Sequence, residues 1–300
     1  MSADPDKRCG YAAIVGKPNV GKSTLLNRIL GQPLSITAAK PQTTRHQILG
    51  VNTVDEGQII FIDTPGMHAD QKRAINRYMN RVARAVLADV DVVLWLIDAG
   101  AGLSKDDERV GEALRSSGRP VILVLNKIDR LTRKAALLDL AGKLTEAYKP
   151  DAVLMVSALK GDGVEDVERE VMRRLPFSRP FFDEDEITDR SERFLAAEFI
   201  REQVTRLTHQ EVPYESTVEI ESFERDGDLI RIGAVIWVER DGQKAILIGK
   251  QGAGLKRIGT RARTRLEELF GQKIFLRTWV KVKAGWSDDE RSLRAFGYGD

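Results

Sequence analysis

Gly16-Lys17-Pro18-Asn19-Val20-Gly21-Lys22-Ser23 follows directly on the apolar run at residues 12–15 and leads into a stretch of helical spacing. A triphosphate carries dense negative charge, so its cradle needs inward-facing backbone N–H groups, room for close approach, and a cation. Gly16 and Gly21 give that room. Lys17, Pro18, Asn19 and Val20 supply the turn of backbone between them, and Lys22 is placed to reach β- and γ-phosphate oxygens. The Ser23 hydroxyl is a candidate Mg²⁺ ligand, and Thr24 lies in the first turn of a helix whose positive end faces the phosphates. A strand, a glycine loop and a helix in this order predict the opening βα unit of a doubly wound α/β sheet.

Three further motifs come after the ends of later apolar runs. Asp63-Thr64-Pro65-Gly66 follows residues 59–62. There the Asp63 carboxylate can hold Mg²⁺ through water, and the Gly66 N–H can meet a γ-phosphate whose loss would release the segment. Asn126-Lys127-Ile128-Asp129 follows residues 121–125, and Ser157-Ala158-Leu159-Lys160 follows residues 153–156. Guanine presents N1–H and an exocyclic amine along one edge, a donor pair suited to the Asp129 carboxylate. Adenine has a lone pair at N1 and would leave that charge unpaired, at roughly 1–3 kcal/mol or more. Lys127 can lie along the base, while Ser157, Ala158 and Lys160 close its other side. The ligand implied is GTP or GDP.

Residues 33–47 are polar and lack strand or helix periodicity, as expected of a loop that orders over nucleotide. Thr43 and Thr44 are both candidates for a second Mg²⁺ hydroxyl. Thr44 is preferred because Arg45 follows it as in related proteins. Lys22, Thr44 and Gly66 are therefore the expected catalytic positions. After Gly66, where many small GTPases carry a water-orienting glutamine, this chain has Met67, whose thioether cannot hold a water. Slow hydrolysis is expected, with water oriented by backbone groups, by a partner, or by a monovalent cation such as K⁺ near the Asn19 carboxamide.

The chain has 300 residues, 42% of them hydrophobic, enough for one large α/β domain and a smaller second one. Its net charge of +2 hides an uneven distribution: residues 240–283 hold twelve Lys or Arg against three acids, and residues 183–192 hold six acids and one Arg. The basic part implies a phosphate-backbone partner, and the acidic run with Pro176 and Pro180 marks a connector. The single cysteine, Cys9, excludes an internal disulfide and is expected as an ordinary free thiol near a mobile terminus, in a reducing compartment. No apolar run is long enough to cross a bilayer and the first residues are unlike a secretory signal, so a cytoplasmic monomer is expected.

Beyond the connector, Leu195, Phe199, Ile200, Val204 and Leu207 share one helical face, a stripe for core packing. Residues 217–222 and 229–238 read as strands about a turn at Asp226-Gly227-Asp228, residues 255–270 as a helix, and residues 273–283 as a final strand. Gly249-Lys250-Gln251-Gly252 lies between an apolar stretch and the basic helix. Its glycines would admit a nucleic-acid backbone, Lys250 would neutralise phosphate, and Lys256, Arg257, Arg261, Arg263 and Arg265 would add salt-dependent affinity, the logic of the KH module's GXXG loop. The order helix-strand-strand-helix-helix-strand fits the KH type that bacteria use.

A GTPase domain with Met after Asp-Thr-Pro-Gly, joined by an acidic connector to a KH domain, resembles the Era family of bacterial ribosome-assembly GTPases. Thr43-Thr44-Arg45-His46, the Pro-Asn of the phosphate loop, and the Gly285-Trp286 and Gly297-Tyr298 tail are similar to that family. The expected organisation is an Era-type P-loop GTPase domain with a mostly parallel sheet at 1–178 and an acidic linker at 179–192. An α+β type II KH RNA-binding domain at 193–284 and a tail at 285–300 complete it. The resemblance implies that the KH domain binds the 3′ end of small-subunit ribosomal RNA, that the protein acts in maturation of the small ribosomal subunit, and that it touches the inner membrane peripherally. The rival reading is a signalling or trafficking GTPase whose C-terminal module binds an acidic protein or anionic lipid.

Overall fold

The computed structural model describes residues 7–67, 72–131, 134–209 and 211–299. The chain divides into two compact units. The first comprises Met1–Ser35, Thr44–Gln71 and Met79–Asp189; the second comprises Ile36–Thr43, Lys72–Tyr78 and Arg190–Asp300.

In the first unit the elements run β1 (Arg8–Val15), α1 (Lys22–Ile29), β2 (Ile48–Val54), β3 (Gly57–Asp63), α2 (Ala74–Ala85), β4 (Val92–Asp98), α3 (Lys105–Ser117), β5 (Val121–Asn126), α4 (Lys134–Tyr148), β6 (Ala152–Val156) and α5 (Val164–Met172), with the first residues of α2 counted in the second unit. The sheet order is β2-β3-β1-β4-β5-β6, parallel except for β2. Strands β1, β4 and β5 are apolar almost without interruption because helices cover both faces. Trp95 anchors one layer of this core, its ring edge-on to Tyr148 at 4.9 Å.

Three features differ from the sequence expectation. Strand β2 was not anticipated. Its Gly50, Asn52 and Thr53 break any apolar run, yet it pairs antiparallel along all of β3, from Ile48 opposite Asp63 to Val54 opposite Gly57. Cys9 is not near a loose terminus: it is the second residue of β1 and fully buried, and burial pushes its thiol pKa up. The acidic stretch expected as a connector is held along the first unit's sheet as far as Thr188. Gln58 accepts from the Phe181 and Phe182 N–H groups at 2.8 and 3.0 Å, Val51 N donates to the Ile187 carbonyl at 2.9 Å, and Thr188 Oγ1 donates to the Leu49 carbonyl at 2.6 Å.

The second unit contains α6 (Glu192–Leu207), β7 (Ser216–Asp226), β8 (Leu229–Val238), α7 (Asp241–Ile248), α8 (Ala253–Phe270), β9 (Lys273–Val282) and α9 (Glu290–Ala295). Its sheet order is β7-β8-β9, antiparallel then parallel. Ser191 caps α6 by accepting from the Phe194 N–H, and Gly271 ends α8 at φ 63°. The tail is part of this core: Trp286 is fully buried and stacks with Tyr298 at 6.1 Å.

Helix α6 buries more than its apolar stripe. Arg201 and Glu198 form a bidentate pair at 2.7 and 2.6 Å, and Arg201 also donates to the Thr43 carbonyl at 2.5 Å. Glu202 accepts from the Thr37 N–H at 3.0 Å, and Lys40 donates to the carbonyls of Thr205 and, more closely, Thr208. Charged side chains at helical spacing read as a solvated face. Here they bind the backbone of Ile36–Thr43, and the buried Arg201, bonded at once to Glu198 and to the Thr43 carbonyl, fixes that segment. Among the described residues no helix is long and apolar enough to cross a membrane.

Candidate nucleotide site and GXXG groove

The nucleotide motifs converge at the C-terminal ends of β1, β3, β5 and β6, with β3 and β4 on opposite sides of β1. This is the switch point at which such sheets hold ligands. Gly21 sits at φ 104°, and a Cβ there would collide with the Asn126 carboxamide. Asn126 braces the loop from the far side: its Nδ2 donates to the Val20 carbonyl at 2.8 Å while its Oδ1 accepts from the Ala158 N–H at 3.0 Å.

Lys22 is buried and donates to the carbonyls of Gly16 and Lys17 at 3.1 and 3.0 Å. Burial pushes its pKa down to about 8, opposed by the charge of Asp63. Those carbonyl bonds hold the ammonium in the loop's mouth. Lys17 has a different role from the one expected of a phosphate-facing lysine: its ammonium pairs with the buried Asp107 at 2.7 Å and donates to Ser104 at 3.1 Å, leaving only its backbone to the cradle.

Ser23 Oγ donates to Asp63 Oδ2 at 2.6 Å and lies 2.8 Å from Thr44 Oγ1. The Thr43 hydroxyl turns away to donate to the Lys40 carbonyl at 2.7 Å. Ser35, which the sequence reading missed, also donates to Asp63 Oδ2, at 2.7 Å. Asp63 is fully buried. Burial raises its pKa, against the charge of Lys22 and the hydroxyls of Ser23, Ser35 and Thr44. Its Oδ1 is buried without a hydrogen-bond partner among the described residues. Two hydroxyls, a carboxylate and an unsatisfied oxygen are the donor set a hard divalent cation takes. Thr64 donates to the Ile14 carbonyl at 2.8 Å, fixing the turn that carries Pro65 and Gly66. Met67 leaves the site for the core, where it packs in the cluster containing Ala83, Val86 and Trp95.

The base end is equally well braced. Ser157 Oγ donates to Asp129 Oδ1 at 2.7 Å and accepts from the Lys160 N–H at 3.2 Å. Lys127, at φ 67°, donates to the Asn19 carbonyl at 2.5 Å and to Asp98 at 2.7 Å. Burial alone would raise the Asp98 pKa, but the hydrogen bond and charge of Lys127 hold it below the ordinary carboxylate range. Asp98 ends β4 and lies in no motif, so only the fold could reveal it.

In the second unit, Gly249 to Gly252 turns from α7 into α8. Gly249 lies at φ 68°, ψ −179°, and a Cβ there would stand 3.0 Å from the Gly254 nitrogen. Lys250 and Gln251 are exposed on the loop. Beside it a groove of about 450 Å³ runs between α8 and β9, lined by Gly252, Leu255, Lys256, Arg263, Ile274 and Leu276 among others. Arg257 and Arg261 are exposed but are not among the lining residues. Arg265 is engaged elsewhere, over the Phe199 ring at 5.6 Å and paired with Glu268 at 3.0 Å.

A family model described as 50S ribosome-binding GTPase matches residues 11–127, and a KH domain model matches residues 211–287. GTPase Era of Stenotrophomonas maltophilia strain K279a is 54% identical over 298 residues, 99% of this chain and 100% of the relative. GTPase Era of Xanthomonas axonopodis pv. citri strain 306 is 52% identical over 291 residues, 97% of each. Among solved structures, a tyrosine-to-alanine variant of Aquifex aeolicus Era bound to GDP and AlF4⁻ has a TM-score of 0.94 at 40% identity, covering 98% of this chain and 100% of its own. Era in complex with MgGDPNP and nucleotides 1506–1542 of 16S ribosomal RNA has a TM-score of 0.95 at 39% identity, with the same coverage. With the phosphate-loop sequence, the Asn126–Asp129 turn and a GXXG groove in one chain, and relatives matching it end to end, this protein belongs to the Era family of GTPases.

Proposed function

We propose that the chain is a GTP-driven switch that binds the single-stranded 3′ end of small-subunit ribosomal RNA in the groove beside Gly249–Gly252 and assists maturation of the small ribosomal subunit. The observation that carries this reading is the pairing of a closed guanine-nucleotide site with an open, cation-flanked groove in one chain. The relative solved with 16S ribosomal RNA supports the choice of RNA. Residues 1–178 act as the GTPase domain, 179–192 as the link, 193–284 as the type II KH domain and 285–300 as its tail.

Ser23, Thr44 and, through water, Asp63 would hold Mg²⁺, which when bound supplies charge to the phosphate oxygens. Gly16–Thr24 cradle the phosphates, with Lys22 as their cation and the Gly66 N–H facing the γ-phosphate. Thr64 and Pro65 shape that turn. Asp129 reads guanine, and Asn126, Lys127, Ser157, Ala158 and Lys160 fix the walls of its pocket. Gly249, Lys250, Gln251 and Gly252 admit the RNA backbone, and Lys256 and Arg257 add charge. Since Met67 packs into the core, water must be oriented by backbone, by RNA, or by K⁺ near Asn19. Faster turnover in potassium than in sodium supports the cation, and equal turnover removes it.

The switch has a physical route. The segment Ile36–Thr43 is bonded to α6 through Arg201, Glu202 and Thr205, and the next residue in the chain is Thr44. Ordering Thr44 over Mg²⁺ and γ-phosphate would then bias the segment that α6 holds. The working state is a cytoplasmic monomer, with peripheral contact at the inner membrane. Replacing Lys250 and Gln251 together with Asp should cut affinity for a 16S 3′-end oligonucleotide at least tenfold. Unchanged affinity contradicts the groove reading. Retained binding to anionic vesicles, with no RNA binding by the natural sequence, would favour a lipid-directed module instead.

A further inference from the structure

Strand β9 has two faces: one closes the groove, and the other reaches it only at Phe275, on the groove's edge. Ile274, Leu276 and Thr278 line the groove beside α8. On the opposite face stand Lys273, Phe275, Arg277, Trp279, Lys281 and Lys283, a strict alternation of cation and aromatic ring that ends in two lysines. This strand is an edge of the sheet and carries no acid. Phe275 is 47% exposed and Trp279 42%, although rings of this size usually find cover.

The rings are supported from beneath. Trp279 lies against the bare backbone of Gly233 on β8, where an added Cβ would come within 3.4 Å of the indole, and its register partner Val235 is fully buried. The Arg277 guanidinium stands 5.8 Å from the Trp279 ring, and the Arg231 guanidinium stands 5.8 Å from the Phe275 ring. The acids on this sheet lie toward the far strand: Glu219 accepts from Trp237 at 2.8 Å and Glu221 pairs with Lys281 at 2.7 Å. Positive charge therefore collects along β9, beside the exposed rings. Phe275 and Trp279 are four positions apart, about 13 Å along a strand rising about 3.3 Å per residue, with Arg277 midway.

We propose that this outer face of β9 is a second single-stranded RNA surface, on which unpaired bases stack upon Phe275 and Trp279 while Lys273 and Arg277 meet phosphates. Rings on an open sheet face with cations between them are what sequence-tolerant single-strand binding uses. An acidic protein would find the charges but would have no use for two exposed, pre-supported ring faces. The surface takes strand beyond the stretch the groove holds, continuing outward from Phe275 at the groove's edge.

The test uses the full chain carrying K250D/Q251D and a fluorescein-labelled twenty-nucleotide oligo(A) at low salt. Residual affinity should remain. Adding F275A/W279A should lower it at least tenfold, F275Y/W279F should restore it to within threefold, and heparin, a polyanion without bases, should change less than twofold. Loss of all oligo(A) binding in the K250D/Q251D background, an alanine pair with unchanged affinity, or an equal loss for heparin each overturns the proposal. Photo-cross-linking the natural chain to 4-thiouridine RNA covers the case in which the alanine pair does not fold. Adducts on Arg277 or Trp279, which lie outside the groove lining, support the surface, and adducts confined to the residues that line the GXXG groove refute it. Failure of the groove reading is separate, because it would leave the K250D/Q251D affinity unchanged.

Discussion

Two glycine-lysine turns of this chain, each opening a helix, are built for opposite ends. In the phosphate loop the lysine is buried, bonded to two carbonyls and depressed in pKa. In the GXXG loop the lysine is exposed, on the turn whose Gly252 lines an open groove. The first turn encloses a compact ligand whose every edge can be read by fixed groups. The second, on the reading proposed above, would meet a polymer that enters and leaves along its length, for which close backbone approach and charge serve better than enclosure. A closed site discriminates by the cost of unpaired buried groups, and an open one by summed weak contacts that salt screens.

That contrast is most severely tested at Lys22. Lys22→Ala removes the ammonium held by the Gly16 and Lys17 carbonyls in the phosphate loop, and GTP turnover should fall by about 100-fold or more in a single-turnover assay. A fall of less than fivefold would place the loop's cation elsewhere. Asp129→Asn should come next. Losing the charge that pairs with guanine's two donors should shrink the preference for GTP over other purine triphosphates by about 30-fold in competition binding. An unchanged preference would mean that the base is read by some other group.

The buried lysine also predicts opposite pH effects on binding and stability. Its folded pKa of about 8 lies below the ordinary lysine value of 10.5, so between these values the unfolded chain binds the extra proton. This group's contribution to stability of the unliganded protein therefore rises with pH across that window, and its burial penalty is present in full below about 8. Nucleotide needs the charged form, so GTP affinity should fall by up to about tenfold per pH unit above 8, with proton uptake on binding near pH 8 detectable by calorimetry in two buffers. The smallest expected effect is at Met67. Because the thioether packs in the core, Met67→Gln should lower stability by about 1–2 kcal/mol in denaturant titration and change turnover by less than about twofold.

Much of the first unit was legible because its strands are buried on both faces and end in residues with chemistry to do. Gly16, Asp63, Asn126 and Ser157 each mark where an apolar run stops, so motif and strand end located one another. Strand β2 was hidden because an edge strand paired on one side tolerates Gly50 and Asn52, which look like loop residues. The site's braces were hidden for another reason. Ser35, Asp98 and Asp107 act on motif residues from positions with no pattern of their own, and Arg201 meets Thr43 across 158 residues of sequence. Spacing reports neighbours along a strand or helix. It says nothing about a charge whose partner arrives from elsewhere in the fold.

The central claim is that occupancy of the closed site is felt at the open one, through a segment bonded to α6 and continuous with Thr44. The most direct test is the affinity of the full chain for a 16S 3′-end oligonucleotide, measured at one salt concentration with a non-hydrolysable GTP analogue and with GDP. A coupling of about 1–3 kcal/mol would make the analogue-bound form bind roughly 5- to 150-fold more tightly. Equal affinities in the two nucleotide states would contradict the account.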